Sequence, residues 1–274
     1  MGLFNLLKSN RTSFFTNIRE YSFLVNQLIR IDILTGYKKS YIGILWMVIY
    51  PIISVIIWVI MNSAGIIQPG ESSIPYPAYV LLSTSIWGFF IGIYQTTSKI
   101  ILSGGRMMIM NKFPQEVFMV NKIFVHLILF VIPFIVNIAV LLIYGVRLSW
   151  MSLLFPITLL PLLLAGLSIG LVVAVLRVVA VDLVAVIDEG LKVLMFLTPI
   201  VYTPKLNISV LATFIEWNPL TYLVGFSRDI LISGTFYEPQ SYLICSIGAF
   251  VAFIIGFIFF QTVGPKVLER LIAN

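Results

Sequence analysis

Residues 36–51 read GYKKSYIGILWMVIYP. Tyr37, Lys38, Lys39 and Ser40 make the first part basic and polar, and the chain then turns abruptly into an uncharged run that continues to Met61. A change this sharp marks a boundary between water and lipid, with the lysines holding one side. The segment before it is expected on the cytoplasmic surface. The segments after it are expected to alternate across a bilayer.

Composition supports that reading. Of 274 residues, 60% are hydrophobic and only 10% charged, with a mean hydropathy of +1.06. Soluble domains carry about 25% charged residues, and no soluble core could bury this much apolar surface. The single cysteine, Cys245, allows no disulfide within the chain and no cysteine metal site. The single histidine, His126, argues against histidine-rich metal chemistry and is expected to pack against a neighbour as a satisfied polar residue. Lys8, Arg11, Arg19, Glu20, Arg30, Asp32, Lys38 and Lys39 interrupt the N-terminal 41 residues, so no cleavable signal peptide is expected there. The net charge of +6 flanks apolar spans, which points to membrane topology and not to nucleic acid.

Residues 17–35 carry Ile18, Tyr21, Leu24, Val25, Leu28, Ile31 and Leu34 at spacings of three and four, with Arg19, Glu20, Asn26, Gln27 and Arg30 opposite. This pattern predicts an amphipathic helix lying in the membrane interface. Six apolar segments follow at about 42–63, 78–101, 118–145, 151–176, 184–203 and 240–263, each near the roughly 20 residues a bilayer requires. A short turn around Gly145–Ser149 separates the third from the fourth. Fourteen of the 17 Lys and Arg residues fall on the side of the N-terminal arm, and only Arg147, Lys205 and Arg228 on the other. By the positive-inside rule both termini are cytoplasmic. Residues 64–77 form an outer loop. Residues 204–238, on the same side, are expected to hold two short helices at about 208–216 and 219–232. Asn218-Pro219 starts the second as an N-cap followed by proline at the first helical position. Neither is long enough to span, so both are expected to dip into the outer leaflet and return.

The chain has no G-x-x-x-x-G-K-S/T phosphate loop. No paired carboxylates, nucleophile elbow or metal-ligand cluster stands out in a water-accessible loop. The chain is therefore not expected to hydrolyse ATP, to bind a cofactor or a metal, or to perform covalent chemistry.

Four local patterns, in order, resemble the permease subunit of an ABC-2 type exporter, in the branch of polysaccharide and teichoic-acid exporters that includes the O-antigen permeases. Tyr37, Ser40, Gly43, Trp46 and Pro51 are similar to R-Y-x-x-S-x-L-G-x-L-W-x-x-x-x-P, with Gly36 for the arginine and Ile42 for the leucine. Lys112-Phe113-Pro114-Gln115-Glu116 resembles K-x-x-F-P-R-E, with Gln115 for the arginine. Thr198-Pro199-Ile200-Val201-Tyr202 is similar to T-P-I-x-Y, although Val181-Asp182 stands where R-D is usual. Asn218-Pro219 followed by Arg228 resembles N-P-x-x-x and a later arginine.

The resemblance implies an all-α integral membrane protein working as a homodimer with two copies of a cytosolic ATPase subunit. That subunit would bind the ATP and magnesium. The complex would export a lipid-linked glycan through the inner membrane of a bacterium. It also implies a coupling helix at about 104–114. Gly104 and Gly105 are expected to end the second membrane helix, and Pro114 to end the short one. Arg106, Met107, Met108, Met110, Lys112, Phe113, Pro114 and Glu116 are then the residues for ATPase contact. Asn218, Pro219 and Arg228 belong to an outer gate.

Asp188 and Lys192, four apart, can pair on one helix face beside Glu189. They form either a hydrophilic entrance for a polar substrate or, if the helix starts near Gly190, a surface cluster. Trp46, Tyr50 and Trp58 can form one stripe on the first span, as a glycan lining or as an interfacial belt. With Tyr41 and Tyr202 these residues make up the candidate substrate path. Arg30, Lys38 and Lys39 would meet an anionic lipid headgroup. Rival readings are an ABC-2 exporter of teichoic acid, drug or small lipid, a membrane enzyme acting on lipid-linked sugars, and a secondary transporter. The last would favour internal repeats, and none is clear.

Overall fold

The computed structural model describes residues 18–38, 43–66, 70, 74–110, 113–203 and 209–273. Regular structure among them is entirely helical. In chain order the helices are α1 (Ser22–Lys38), α2 (Gly43–Ser63), α3 (Tyr76–Thr97), α4 (Ile100–Met110) and α5 (Gln115–Ile143). A 3-10 turn (Trp150–Leu154) leads into α6 (Phe155–Thr158). Then come α7 (Leu160–Val179), α8 (Val181–Phe196), α9 (Ser209–Trp217), α10 (Pro219–Ile232) and α11 (Pro239–Ala273).

Four helical stretches among the described residues are long and apolar enough to cross a membrane: 76–97, 115–143, 150–179 and 239–269. The 21 residues of α2 carry no charge. At 16 residues, α8 is about 24 Å long and holds Asp182, Asp188, Glu189 and Lys192. The 35 residues of α11 span about 52 Å, well beyond a ~30 Å hydrocarbon core.

Two expectations from sequence change here. The fifth apolar segment, expected at 184–203, is helical only from Val181 to Phe196. Its helix also begins nine residues before Gly190, so Asp188 and Glu189 sit inside it. It stops early because Pro199 lacks an amide hydrogen and biases Thr198 away from helical geometry. Gly104 and Gly105 do not end a helix. The helix of the second apolar segment stops at Thr97, and both glycines lie within α4. Gly104 serves close approach: a Cβ there would stand 2.7 Å from the Phe118 ring.

The centre of the bundle is α3 and α7, each 61% buried over its most apolar window, against 17% for α5 and α11. Burial of apolar side chains against lipid gains little, so close packing has to hold these helices together. The α3–α7 contact uses glycines as spacers. A Cβ on Gly166 would meet Ile93 at 2.3 Å and the Phe90 carbonyl at 2.9 Å. On the other side of α7, Ser168 Oγ donates to the Ala252 carbonyl of α11 at 2.8 Å. Gly256 on α11 leaves room there, since a Cβ would stand 2.9 Å from the Ser168 carbonyl. Exposed Ile52, Ile56, Ile60, Val131, Ile135, Leu243 and Ile247 cover the outer faces of α2, α5 and α11, a surface suited to lipid.

The amphipathic α1 packs Val25 and Leu28 inward. Asp32 fixes it to α5 by accepting from Lys122 Nζ and Asn121 Nδ2, both at 2.8 Å. The turn after α5 passes through Gly145 at φ +74°, a conformation suited to glycine. The two short helices expected at 208–216 and 219–232 are found as α9 and α10.

Candidate functional site

The T-P-I-x-Y segment breaks the chain out of α8 and leaves carbonyls with no helical partner. Three side chains meet them. Tyr76 Oη donates to the Val201 carbonyl at 3.0 Å, and Tyr79 Oη donates to the Tyr202 carbonyl at 2.9 Å. Arg228 Nη1 donates to the Pro199 carbonyl at 3.0 Å and to Tyr79 Oη at 2.7 Å. The Arg228 guanidinium also lies 4.5 Å from the centre of the Tyr79 ring, and its Nε reaches Asp229 Oδ1 at 3.3 Å. Only 3% of Arg228 is exposed. A buried cation is costly unless hydrogen-bonded, and here one guanidinium fork joins α3, α10 and the broken segment.

Asn218 completes this cluster. Its Oδ1 accepts from the Leu220 amide at 3.0 Å, the N-cap bond expected from Asn-Pro, with Pro219 at the first helical position. Its Nδ2 donates to Thr198 Oγ1 at 2.8 Å, so the cap of α10 also holds the end of α8. The Tyr202 hydroxyl donates back to the Phe196 carbonyl at 2.8 Å. Tyr76 and Tyr79 were not singled out from sequence. The available signal was Arg228, a cation inside the apolar run 219–232, which requires partners.

A second polar cluster lies halfway along α8. Asp188 does not pair with Lys192. It accepts from the Tyr94 hydroxyl of α3 and pairs with Arg177 Nη2 of α7 at 3.2 Å. Lys192 pairs with Glu189 at 2.6 Å, with both side chains exposed. Helical spacing permits the Asp188–Lys192 pair, but the side of α8 bearing Asp188 faces α3 and α7. Arg177 also donates to Ser98 Oγ at 3.3 Å. A cavity of about 530 Å³ opens beside this cluster, between α3, α7 and α8.

Trp58 of α2 meets Phe196 of α8 edge to face, centroids 6.1 Å apart. The first and fifth apolar segments are thus in contact at this level. Tyr41 and Lys39 lie outside the described residues, as do the side chains of Lys38, Trp46 and Tyr50. Arg30 is exposed on α1. His126 packs on the Phe89 ring, centroids 4.9 Å apart, and its ring fills the space left by Gly92. Its Nε2 has no hydrogen-bond partner among the described residues.

The residues expected to contact an ATPase separate into two sets. Met107 and Met110 are exposed, the latter at 70%, whereas Met108 is 4% exposed and packs by Gly104. Phe113 stacks edge-on against Tyr21, centroids 5.8 Å apart, and Pro114 precedes the first turn of α5. Glu116 is buried and accepts from Gln261 Nε2 of α11 at 2.8 Å, an internal tie. Lys112 and the Arg106 side chain lie outside the described residues. Among the described residues no group of His, Cys, Asp and Glu has the makings of a metal site.

Three relatives bear on the arrangement. Over 244 residues the chain is 24% identical to the O-antigen export system permease protein RfbA of Klebsiella pneumoniae, covering 88% of this chain and 92% of that protein. Another protein so named from Klebsiella pneumoniae is 22% identical over 216 residues, 77% of this chain and 82% of its own. One from Myxococcus xanthus is 22% identical over 184 residues, 67% and 69%. No family model matches the chain.

Proposed function

We infer that this chain, an O-antigen export permease by its likeness to those relatives, is the membrane-spanning subunit of an ATP-driven exporter. Its cargo is a lipid-linked polysaccharide, carried across the inner membrane. The observation that carries the reading is the match to a protein of that name over 88% of this chain and 92% of the relative. The four motifs support it, because two of them meet in space: the Thr198–Tyr202 segment and the Asn218–Arg228 segment are bonded to each other.

In this reading α2, α3, α5, the 150–179 stretch, α8 with its broken extension, and α11 make six crossings. Both termini are cytoplasmic, α1 lies in the interface, and α9 and α10 dip into the outer leaflet as a gate. Two copies pair, and α2 and α8 of each line the path. The contact between Trp58 and Phe196 supports that lining. The exposed Met107 and Met110 of α4 support docking on a cytosolic ATPase, which binds ATP and magnesium in place of this chain. Arg30, Lys38 and Lys39 face the lipid headgroup. The aromatic Trp46, Tyr50 and Trp58 pass the sugars by many weak contacts, because one tight site would stall a long chain.

The test is removal of this chain from the cell that makes it. Surface glycan should disappear while lipid-linked glycan accumulates inside, and re-expression should restore both. Unchanged surface glycan with no internal accumulation overturns the reading.

A further inference from the structure

The cavity beside the Arg177–Asp188 pair has features that the pair alone does not explain. Its volume of about 530 Å³ falls within the range of small-ligand sites. Its walls change character along their length. Lys99 and Arg177 line one end, and Trp87, Met195 and Phe196 line the other. Lys99 lies in the turn just after α3, twelve residues from Trp87; the ten residues from Trp87 to Thr97 alone make about 15 Å of helix. A ligand filling the crevice therefore meets charge at one end and an aromatic surface at the other.

The charges of the wall do not cancel. Arg177 is matched to Asp188, and Lys192 to Glu189. Lys99 is exposed and has no carboxylate partner among the described residues. The charged end thus keeps one uncompensated cation, suited to an anionic group. Between the two ends stand Gln95, whose amide both donates and accepts, and the Asp188 and Glu189 carboxylates, which accept. Alternating hydroxyls need such a mixture, and the C–H face of a sugar ring suits an indole or tyrosine.

We propose that the crevice between α3, α7 and α8 is a binding subsite for a phosphorylated sugar. The phosphate sits at Lys99, and the ring between Gln95, Asp188 and Trp87. The choice of a sugar rests on the export reading above. The same phosphate chemistry also occurs in membrane phospholipid headgroups, and the test separates the two.

The experiment uses the full-length chain in phosphatidylcholine nanodiscs, with Cys245→Ser as background and a reporter thiol introduced by Ala185→Cys in the crevice wall. Maleimide labelling is timed with a hexose 1-phosphate, the free hexose, inorganic phosphate or glycerol 3-phosphate. Hexose 1-phosphate should slow labelling about two-fold at the concentration that half-fills the site, and the hexose or phosphate alone should do less. Lys99→Gln should abolish the protection. A reporter from Ile91→Cys, on the opposite wall, should respond likewise if Ala185→Cys perturbs the fold. No protection by hexose 1-phosphate in either reporter overturns the proposal. Equal protection by glycerol 3-phosphate also overturns it and assigns the crevice to phospholipid. Absent protection in a chain whose removal still abolishes surface glycan discards the subsite and keeps the exporter. Protection in a chain whose removal leaves surface glycan unchanged keeps the subsite and discards the exporter.

Discussion

At the scale of single residues, Arg228 ties α10 to α3 and to the broken segment after α8. Replacing it with methionine keeps bulk but leaves the Pro199 carbonyl without that donor and removes the ring contact with Tyr79. Arg228→Met should cost about 2–4 kcal/mol of stability, read as a lower unfolding midpoint in detergent. Arg228→Lys keeps the charge, loses the fork and should cost less. Equal midpoints in all three proteins would remove the clamp from the account. The acidic residue of α8 offers a second test. Asp188 is bonded to Arg177, and Lys192 to Glu189. A double-mutant cycle on Asp188→Asn and Arg177→Gln should give a measurable coupling, and one on Asp188→Asn and Lys192→Gln should give none. The exposed Lys192–Glu189 pair should itself contribute about 0–1 kcal/mol. The sequence displays partners four apart on one helix. It does not display Arg177, which arrives from another helix through the fold.

At the scale of elements, the α3–α7 contact depends on a residue without a side chain. Gly166→Leu should force the two helices apart and lower the yield of inserted, folded protein several-fold. Gly248→Ala, with nothing within 4 Å of its added carbon, should leave yield unchanged. Similar yields from both would mean the close approach is dispensable. In α4 the exposed and buried methionines separate docking from folding. Met110→Asp should insert normally and lose co-purification with the ATPase, whereas Met108→Asp buries a charge and should fail to fold. The same element shows what local patterns hide. Gly104 and Gly105 have the composition of a helix end, yet they lie inside α4, where the absence of a side chain at Gly104 leaves room for Phe118. Glu116 reads as a surface charge and is held by Gln261, 145 positions away. In contrast, Asn218-Pro219 was legible, because a cap is made by neighbours in sequence. The long apolar runs were legible for a related reason: lipid requires each helix to satisfy its own backbone.

At the scale of the whole molecule, charge distribution sets the expected orientation. With Cys245→Ser as background, Glu71→Cys should react with an impermeant thiol reagent in intact cells, and Lys112→Cys should not. Both positions lie outside the described residues, and the reverse pattern would invert the topology. What no charge count reveals is how unevenly α8 is fastened. Its Phe196 end is tied by Arg228 and Asn218 through a buried web of bonds. Halfway along, it is held by one partly buried ion pair and the Tyr94 hydroxyl, both through Asp188. Mechanically, α8 is a lever with a stiff pivot and a light catch. From the pivot to Asp188 is eight residues, about 12 Å of helix, so a tilt of about 10° carries the catch through about 2 Å, enough to open the Arg177–Asp188 pair.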